Sequence, residues 1–121
     1  MKYFLYIKDN IIIGIVISEQ IKNGYLVHFD ETNDDTQTIA DSIQEYTFQK
    51  EKALCGISKM FVLENHRKKG IAKNLVDSAR MNLIYGFEIP KEEVAFSQPT
   101  LDGKIFALKY FKNDDFLIYD V

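Results

Sequence analysis

The 121-residue sequence has no tryptophan, only two prolines and a single cysteine, Cys55. One cysteine cannot form an internal disulfide, so the sequence predicts a protein of a reducing, intracellular environment. Only two histidines accompany that cysteine, so a structural Cys/His zinc site is not expected and we predict no bound metal.

Long hydrophobic runs and excess positive charge are also missing. The longest apolar run, residues 11–17, is far shorter than the roughly 20 residues that cross a bilayer as a helix. The N-terminus lacks a signal-peptide pattern, because charge returns at Lys8 and Asp9 without a small-residue cleavage site. The net charge of -3 argues against direct binding of nucleic acid by the whole domain.

The sequence is instead rich in residues that build a core. Its hydrophobic content is 46%, with nine phenylalanines and seven tyrosines, which favours an ordered globular interior. A chain of this length has room for one domain, and no linker, repeat or low-complexity tract interrupts it. We therefore predict a single domain over residues 1–121.

The opening of the chain predicts β-structure. Residues 3–7 and 11–18 are rich in β-forming side chains and flank a turn-forming triplet at 8–10, which indicates an antiparallel hairpin. An apolar run over 25–29 predicts the next strand. The acidic stretch 30–38 has almost no apolar residues and predicts a loop.

The stretch 39–52 is ambiguous. Ile39, Ile43 and Tyr46 have helical spacing, but the pattern is too short to assign. From Cys55 onward the patterns become clearer and predict strand, helix, strand, helix and strand. The strands are expected at 55–63, 93–97 and 116–119, and the second helix at 102–111.

The first of these helices is expected from about residue 70. Its apolar positions form one stripe at helical period: Ile71, Ala72, Leu75, Val76, Ala79 and Leu83. Gly86 is well placed to end this helix, since glycine readily adopts the left-handed backbone found after helix C-termini.

The junction before this helix carries the pattern R-x-x-G-x-A at residues 67–72. A helix N-terminus presents unpaired N–H groups and partial positive charge, which together bind anions. Gly70 would let the backbone approach a phosphate closely. Basic side chains cost roughly 0.3–1 kcal/mol each at an exposed helix start. The three at 67–69 therefore favour a bound anion over a merely solvated helix start.

This pattern resembles the acetyl-CoA signature of the GNAT superfamily, and longer strings narrow the resemblance to the cohesin acetyltransferases, which establish sister-chromatid cohesion. The strings occur in that family's order, at residues 55–62, 67–69, 82–86, 91–97 and 99–107. The opening hairpin and residues 116–119 match as well. The resemblance covers nearly the whole chain and is weakest at 30–53.

The resemblance implies a GNAT-like mixed α/β fold, with a mostly antiparallel sheet and helices packed on it. A typical GNAT fold has a further strand and helices ahead of the first hairpin, so the N-terminal elements are expected to be short or missing. Relatives usually carry a Cys/His zinc finger before this domain, which nothing in this sequence supplies. The chain is then a fragment or a reduced form, and an exposed edge strand is expected.

The resemblance also implies an acetyl-CoA site. In the family, the strand before the signature contacts the pantetheine through its backbone, the signature loop holds the pyrophosphate, and a P-T-x-D-G stretch lines the site. The corresponding residues are Met60, Phe61, Val62, Arg67, Lys68, Lys69, Gly70, Ile71, Ala72, Lys73, Thr100, Leu101 and Asp102. Many relatives carry lysine at the position of Gly70, where this chain follows the general GNAT pattern.

Catalytic roles follow less directly. Acetyl transfer to a lysine needs a neutral amine and then a proton for the departing thiolate. By resemblance, the candidate catalytic residues are Ser58, Asp77, Gln98 and Tyr110, the last as the donor of that proton. Asp77 replaces the usual glutamate, and Gln98 replaces an aspartate. An amide cannot accept a proton at neutral pH. The base could therefore be Asp77 alone or a chain of waters, or turnover could be slow without one.

Three other features have ordinary explanations. His66 beside the signature is expected to be an exposed turn residue. Cys55 is expected to be a small buried strand residue rather than a nucleophile. The acids at 30–35 could attract a lysine-bearing substrate, but a solvated loop is favoured.

The sequence and the resemblance together predict a lysine N-acetyltransferase that uses acetyl-CoA by direct transfer. A cohesin SMC subunit as substrate and the nucleus as location rest on the resemblance alone. Two alternatives stay open: a GNAT enzyme for another protein or a small amine, and a catalytically weak acetyl-CoA-binding or interaction domain. Neither the target lysine nor the oligomeric state is indicated.

Overall fold

One seven-stranded sheet forms the centre of the computed structural model, which describes residues 1–29, 43–97, 101–111 and 115–119. The strands are β1 (Lys2–Lys8), β2 (Ile11–Gln20), β3 (Asn23–Phe29), β4 (Ile43–Lys52), β5 (Cys55–Val62), β6 (Val94–Ser97) and β7 (Asp115–Tyr119). The helices are α1 (Ile71–Asn82) and α2 (Leu101–Phe111). The order across the sheet is β1-β2-β5-β6-β7-β3-β4, so β1 and β4 are its outer strands.

The predicted opening hairpin is confirmed. β1 and β2 pair antiparallel around Asp9 and Asn10, which both have positive φ, 52° and 64°. Asp and Asn tolerate this left-handed backbone, which two-residue hairpin turns need to match strand twist. The register places Tyr3 opposite Ile17 and Leu5 opposite Ile15.

The third predicted strand is confirmed as β3, but its neighbours are β7 and β4 rather than β2. The free edge of β2 is taken by β5, so β3 joins the sheet beyond β7. The ambiguous stretch 39–52 contains β4, which pairs antiparallel with β3. Pairing with β3 thus overrides the short helical spacing there. The loop predicted at 30–38 lies outside the described residues.

The middle of the sheet is parallel. β5 pairs parallel with β6, and β6 with β7, so α1 and α2 are the crossovers between successive strands. The other pairings, β1–β2, β2–β5, β3–β4 and β3–β7, are antiparallel. The expected mixed, mostly antiparallel sheet with packed helices is confirmed. The strands and helices predicted after Cys55 are confirmed as well, within a few residues at their ends.

The predicted apolar stripe of α1 is buried, with Ile71, Leu75, Val76 and Ala79 in the core. The expected end of this helix was wrong, because α1 ends at Asn82 rather than near Gly86. The Asn82 side chain donates to the Ser78 carbonyl at 2.8 Å, which gives the last turn a local partner. Gly86, at φ 73°, serves the next turn, which a bridge between Ile84 and Phe87 closes.

Both helices pack on the same face of the sheet. The main core joins α1 and α2 residues to the inward side chains of β6 and β7, such as Phe96, Phe116 and Ile118. On the opposite face, Ala95, Leu117 and Tyr119 form a second, smaller cluster. Neither described helix has the length and apolar character needed to cross a lipid bilayer.

Gly56 is required where β5 passes the ring of Tyr119. A Cβ atom on Gly56 would lie 2.7 Å from Tyr119 Cζ. We expect Gly56→Ala to lower the free energy of unfolding by about 1–3 kcal/mol, because the ring must shift. Urea unfolding of Gly56→Ala in wild-type and Tyr119→Leu backgrounds tests this. The cost should shrink in the Tyr119→Leu background, and an equal cost in both would contradict the explanation.

Candidate active site

The candidate site begins where β5 leaves β6. β5 pairs with β6 only over residues 55–57, although β5 continues to Val62. Its pairing with β2 continues on the other side as far as Val62. We call residues 58–62 the open half of β5, because their backbone groups on the β6 side lie beyond the shared ladder.

Ser58 marks the start of this open half. In the register with β2, Ser18 lies opposite Ile57 and Ile17 opposite Lys59, so Ser58 is an extra residue that forms a β-bulge. The bulge changes which face alternate residues occupy. Ile57 before it is buried in the main core and Met60 after it packs against that core, while Phe61 is exposed. Ser58 is half-buried at this change of face.

The open half of β5 leads into the N-terminus of α1. Gly70 is the residue before the helix and has φ 80°, a left-handed backbone that glycine adopts without strain. A Cβ at Gly70 would meet no atom within 4 Å, so glycine serves the backbone conformation rather than packing. Asn74 N–H makes the helical bond to Gly70 O at 3.0 Å. The N–H groups of residues 71–73 precede that bond, and Gly70 brings no side chain to cap them.

The basic residues around this N-terminus have different tasks. Arg67 Nε donates to Val62 O at 3.0 Å, which ties the loop back to β5. Lys68 and Lys69 are exposed, and Lys68 also has a left-handed backbone at φ 64°. Lys73 Nζ lies 2.9 Å from Asp77 Oδ2, one helical turn further on. No acidic residue occupies the first turn of α1, so an anion would meet no like charge there.

Asp77 and Tyr110, two of the predicted catalytic residues, are brought into direct contact. The Tyr110 hydroxyl donates to Asp77 Oδ1 at 2.6 Å, which joins α1 to α2. Arg80 Nε donates to the same Asp77 oxygen at 3.2 Å and to Tyr110 Oη at 3.0 Å. We call these three side chains the Asp77–Arg80–Tyr110 group.

The protonation states in this group follow from its contacts. Burial alone would raise the pKa of Asp77, but hydrogen bonds from Tyr110, Lys73 and Arg80 outweigh it and hold that pKa below its usual range. Burial, and then the hydrogen bond to Asp77, raise the pKa of Tyr110 above its usual value. At neutral pH Asp77 is therefore a carboxylate and Tyr110 a neutral phenol. A carboxylate of low pKa with both oxygens engaged is a weak base by itself.

Aromatic packing fixes the Tyr110 ring. Phe106 stacks on it at a centroid distance of 5.4 Å, and Phe111 meets its edge at 5.2 Å. Lys91, in the short turn Lys91–Glu93 before β6, places its Nζ 4.3 Å from the ring centroid. The sequence prediction missed both Arg80 and Lys91, although the spacing of Arg80 three residues after Asp77 is compatible with a contact on one helix face.

Several predicted site residues are not placed by these contacts. Gln98 and Thr100 lie outside the described residues, as do the acids at 30–35. Leu101 and Asp102 are in the first turn of α2. Within the described ranges, His, Cys, Asp and Glu side chains form no group of three that could hold a metal.

The remaining sequence candidates have the ordinary roles expected of them. Cys55 is buried in β5, and burial raises the pKa of its thiol to about 12. A thiol in that state is not a nucleophile at neutral pH. His66 lies partly exposed in the short turn Glu64–His66, just before the signature loop.

The contacts of Asp77 predict a pH-dependent contribution to stability. Because its folded-state pKa is lowered, ionised Asp77 stabilises the fold above the unfolded value of about 3.9, and this is lost as pH falls through the lower folded value. We expect Asp77→Asn to cost about 1–2 kcal/mol near neutral pH. The difference from wild type should shrink below about pH 4. Urea unfolding across pH measures it, with Asp9→Asn in the hairpin turn as control. A difference that is constant with pH would contradict the assignment.

A protein-family model described as ESCO1/2 acetyl-transferase matches residues 51–119. N-acetyltransferase ESCO2 of Danio rerio is 35% identical over 125 residues, which are 98% of this chain and 20% of the relative. N-acetyltransferase ESCO1 of Homo sapiens is 35% identical over 130 residues, covering 98% and 15% of the two chains. N-acetyltransferase ECO1 of Saccharomyces cerevisiae is 36% identical over 109 residues, covering 90% and 38%. The chain thus spans about a fifth of the ESCO2 relative.

Solved structures agree with these sequence matches. The xEco2 acetyltransferase domain, in a structure bound to a K105-CoA conjugate and in another of the domain, superimposes with a TM-score of 0.83 at 34% identity. Each match covers 98% of this chain and 68% of the solved chain. The fold, the order of the motifs and the matched span agree. The chain belongs to the ESCO1/2 acetyl-transferase family and carries the acetyltransferase domain of that family.

Proposed function

We propose that this domain is a protein-lysine N-acetyltransferase that takes the acetyl group from acetyl-CoA. The observation that carries the proposal is the junction of the open half of β5 with the N-terminus of α1. There, residues 63–70, which include the turn Glu64–His66, join the open half of β5 to a helix start that has no side-chain cap and has basic neighbours. Extended backbone suits an amide-bearing pantetheine arm, and the helix start suits a pyrophosphate.

The proposed donor site uses residues from both parts of this junction. Met60, Phe61 and Val62 supply the backbone for the pantetheine arm, and residues 67–73 supply the pyrophosphate cradle. In the cradle, Lys73 contributes its backbone N–H, since its side chain lies against Asp77. Thr100, Leu101 and Asp102 complete the proposed site by resemblance to the family, and the last two begin α2. The xEco2 domain holds a CoA conjugate, which supports the proposal that this chain also uses a CoA-based donor.

The proposed reaction is direct transfer. The neutral amine of the substrate lysine attacks the thioester carbon, the C–N bond forms, and the C–S bond breaks. Starting from the ammonium form, the products are an acetyl-lysine, the CoA thiol and one released proton. Of the two protons that leave the amine, one goes to the departing sulfur and one to solvent.

Ser58, Asp77, Gln98 and Tyr110 are the residues proposed to serve this transfer. Ser58 lies at the bulge where the open half of β5 begins, so its hydroxyl is suited to orient the reacting groups. Tyr110 is neutral and can pass its proton to the departing sulfur, after which a proton from the amine restores the phenol. Asp77 is suited to hold Tyr110 rather than to act alone as the base. Gln98 stands where the relatives place an aspartate, and it leaves deprotonation of the amine to solvent.

We further propose a cohesin SMC subunit as the protein substrate and the nucleus as the site of action. Support comes from family membership, since the relatives are N-acetyltransferases of the ESCO and ECO1 kind. A non-catalytic acetyl-CoA-binding module is the competing function that Gln98 favours. Binding and transfer must therefore be measured separately.

The donor site is tested by Gly70→Glu. We expect acetyl-CoA affinity to fall about tenfold or more, or about 1.4 kcal/mol, because a carboxylate would then face the pyrophosphate. Isothermal titration calorimetry measures the affinity directly. Helix formation should be retained, since an acidic residue is favourable at a helix N-terminus.

Gly86→Glu is a matched control for that variant. Gly86 also has positive φ, 73°, and open space around its Cβ, but it lies beyond the opposite end of α1. Both substitutions therefore carry a similar backbone strain, and only Gly70→Glu places charge at the cradle. Equal affinities in the two variants would show that the loop does not hold the phosphates.

Catalysis is tested by incubating the domain with acetyl-CoA and a cohesin head and locating acetyl-lysine by mass spectrometry. We expect the wild type to acetylate lysine and Gln98→Asp to do so about tenfold faster or more, because it restores a carboxylate base. Acetyl-CoA binding without transfer by either variant would favour the binding module. Absence of acetyl-CoA binding would refute the whole proposal.

A further inference from the structure

Arg80 holds together the two candidate catalytic side chains that lie on different helices. Its side chain is only 13% exposed, and Asp77 is 19% exposed. Arg80 Nη1 also donates to the Ile89 carbonyl at 3.0 Å, in the segment between α1 and β6. The guanidinium therefore has three anchors: its own helix, α2 and this connecting segment.

The directions of the hydrogen bonds in the group are determined by chemistry. Guanidinium groups only donate hydrogen bonds. Asp77 Oδ1 and Tyr110 Oη must therefore both accept from Arg80. A lone pair of Tyr110 Oη is then used, and its proton is directed at Asp77 Oδ1, 2.6 Å away. Without Arg80, Tyr110 Oη would lose the donor that occupies its lone pair, and the phenol would be held in this orientation by Asp77 alone.

We infer that Arg80 is a positioning residue of the proposed acetyl transfer, which orients the Tyr110 hydroxyl and keeps Asp77 as its acceptor. This inference rests on the proposed function. Arg80 need not touch either substrate, because it acts through Tyr110 and Asp77. Lysine could not replace it fully, since one ammonium cannot span Asp77, Tyr110 and the Ile89 carbonyl with the same fixed geometry.

The charged and titratable surroundings of the group belong to three described elements. Lys73 and Arg80 face Asp77 from its own helix, and Tyr110 faces it from α2. From the connecting segment, Glu88 lies 3.6 Å from Arg80 Nη1, and Lys91 lies over the Tyr110 ring. Loss of Arg80 removes one donor from Asp77, so the pKa of that carboxyl should rise.

The test compares Arg80→Gln and Arg80→Lys with wild type in steady-state transfer across pH. We expect Arg80→Gln to lower kcat about tenfold, with less than about a twofold change in KM for acetyl-CoA. The acid limb of its kcat profile should move to higher pH. Arg80→Lys should return the acid limb toward wild type and recover part of kcat.

Glu88→Gln is the matched control, because it removes the exposed ion pair but leaves the other Arg80 contacts in place. It should leave kcat and the pH profile unchanged. A merely structural role for Arg80 predicts a lower melting temperature and less active enzyme with an unchanged pH profile. That result would overturn the inference.

A proton NMR measurement, which needs no catalytic turnover, tests this inference separately from the proposed function. The Tyr110 hydroxyl proton should give a low-field resonance in the proton NMR spectrum that Tyr110→Phe identifies by its absence. It should shift or broaden in Arg80→Gln and persist in Glu88→Gln. An unchanged resonance in Arg80→Gln overturns the positioning of Tyr110. If the resonance responds but the wild type transfers no acetyl group, the proposed function fails and the catalytic purpose of Arg80 fails with it.

Discussion

The pairing of β5 with two unequal neighbours is the constraint on which the candidate site depends. β2 holds β5 along its length, whereas β6 holds only its first three residues. Within the described residues, β6 (Val94–Ser97) pairs with β5 no further than Ile57. The bulge at Ser58 lies where the part of β5 that pairs with both β2 and β6 ends and the part that pairs with β2 begins. A longer β5–β6 ladder would engage the backbone of the open half of β5, on which the proposed donor site depends.

α1 then separates two kinds of electrostatic environment along one helix. Its N-terminal end has N–H groups and basic neighbours and no acid in its first turn, which suits a ligand of high negative charge. About one and a half turns further on, Asp77 balances Lys73 and Arg80 and bonds to a neutral phenol. Lys73 links the two, because its backbone lies in the first turn and its side chain bonds Asp77. Burial of Leu75, Val76 and Ala79 against the sheet holds both in fixed relation.

Features with local causes could be predicted from the sequence, and features made by distant contacts could not. The first hairpin follows from Asp9 and Asn10, and α1 from its apolar period, since each needs only neighbouring residues. Gly86 was misassigned because its positive φ serves the turn between Ile84 and Phe87, which follows the end of the helix. The Ser58 bulge depends on the register with β2, and Arg80 meets Tyr110 across 30 residues of chain. The resemblance identified Asp77 and Tyr110 as candidates. Their contact with each other could be identified only from the folded structure.

Burial of Cys55 has a practical consequence for assays. It is the only cysteine of the chain, and its thiol has a pKa of about 12 inside β5. A thiol-reactive dye should therefore not label the folded protein, and its colour should report only free thiols in solution. If the domain releases CoA as proposed, each turnover can be followed continuously by colour, without correction for labelling of the protein. Slow appearance of one dye equivalent per chain would instead report unfolding.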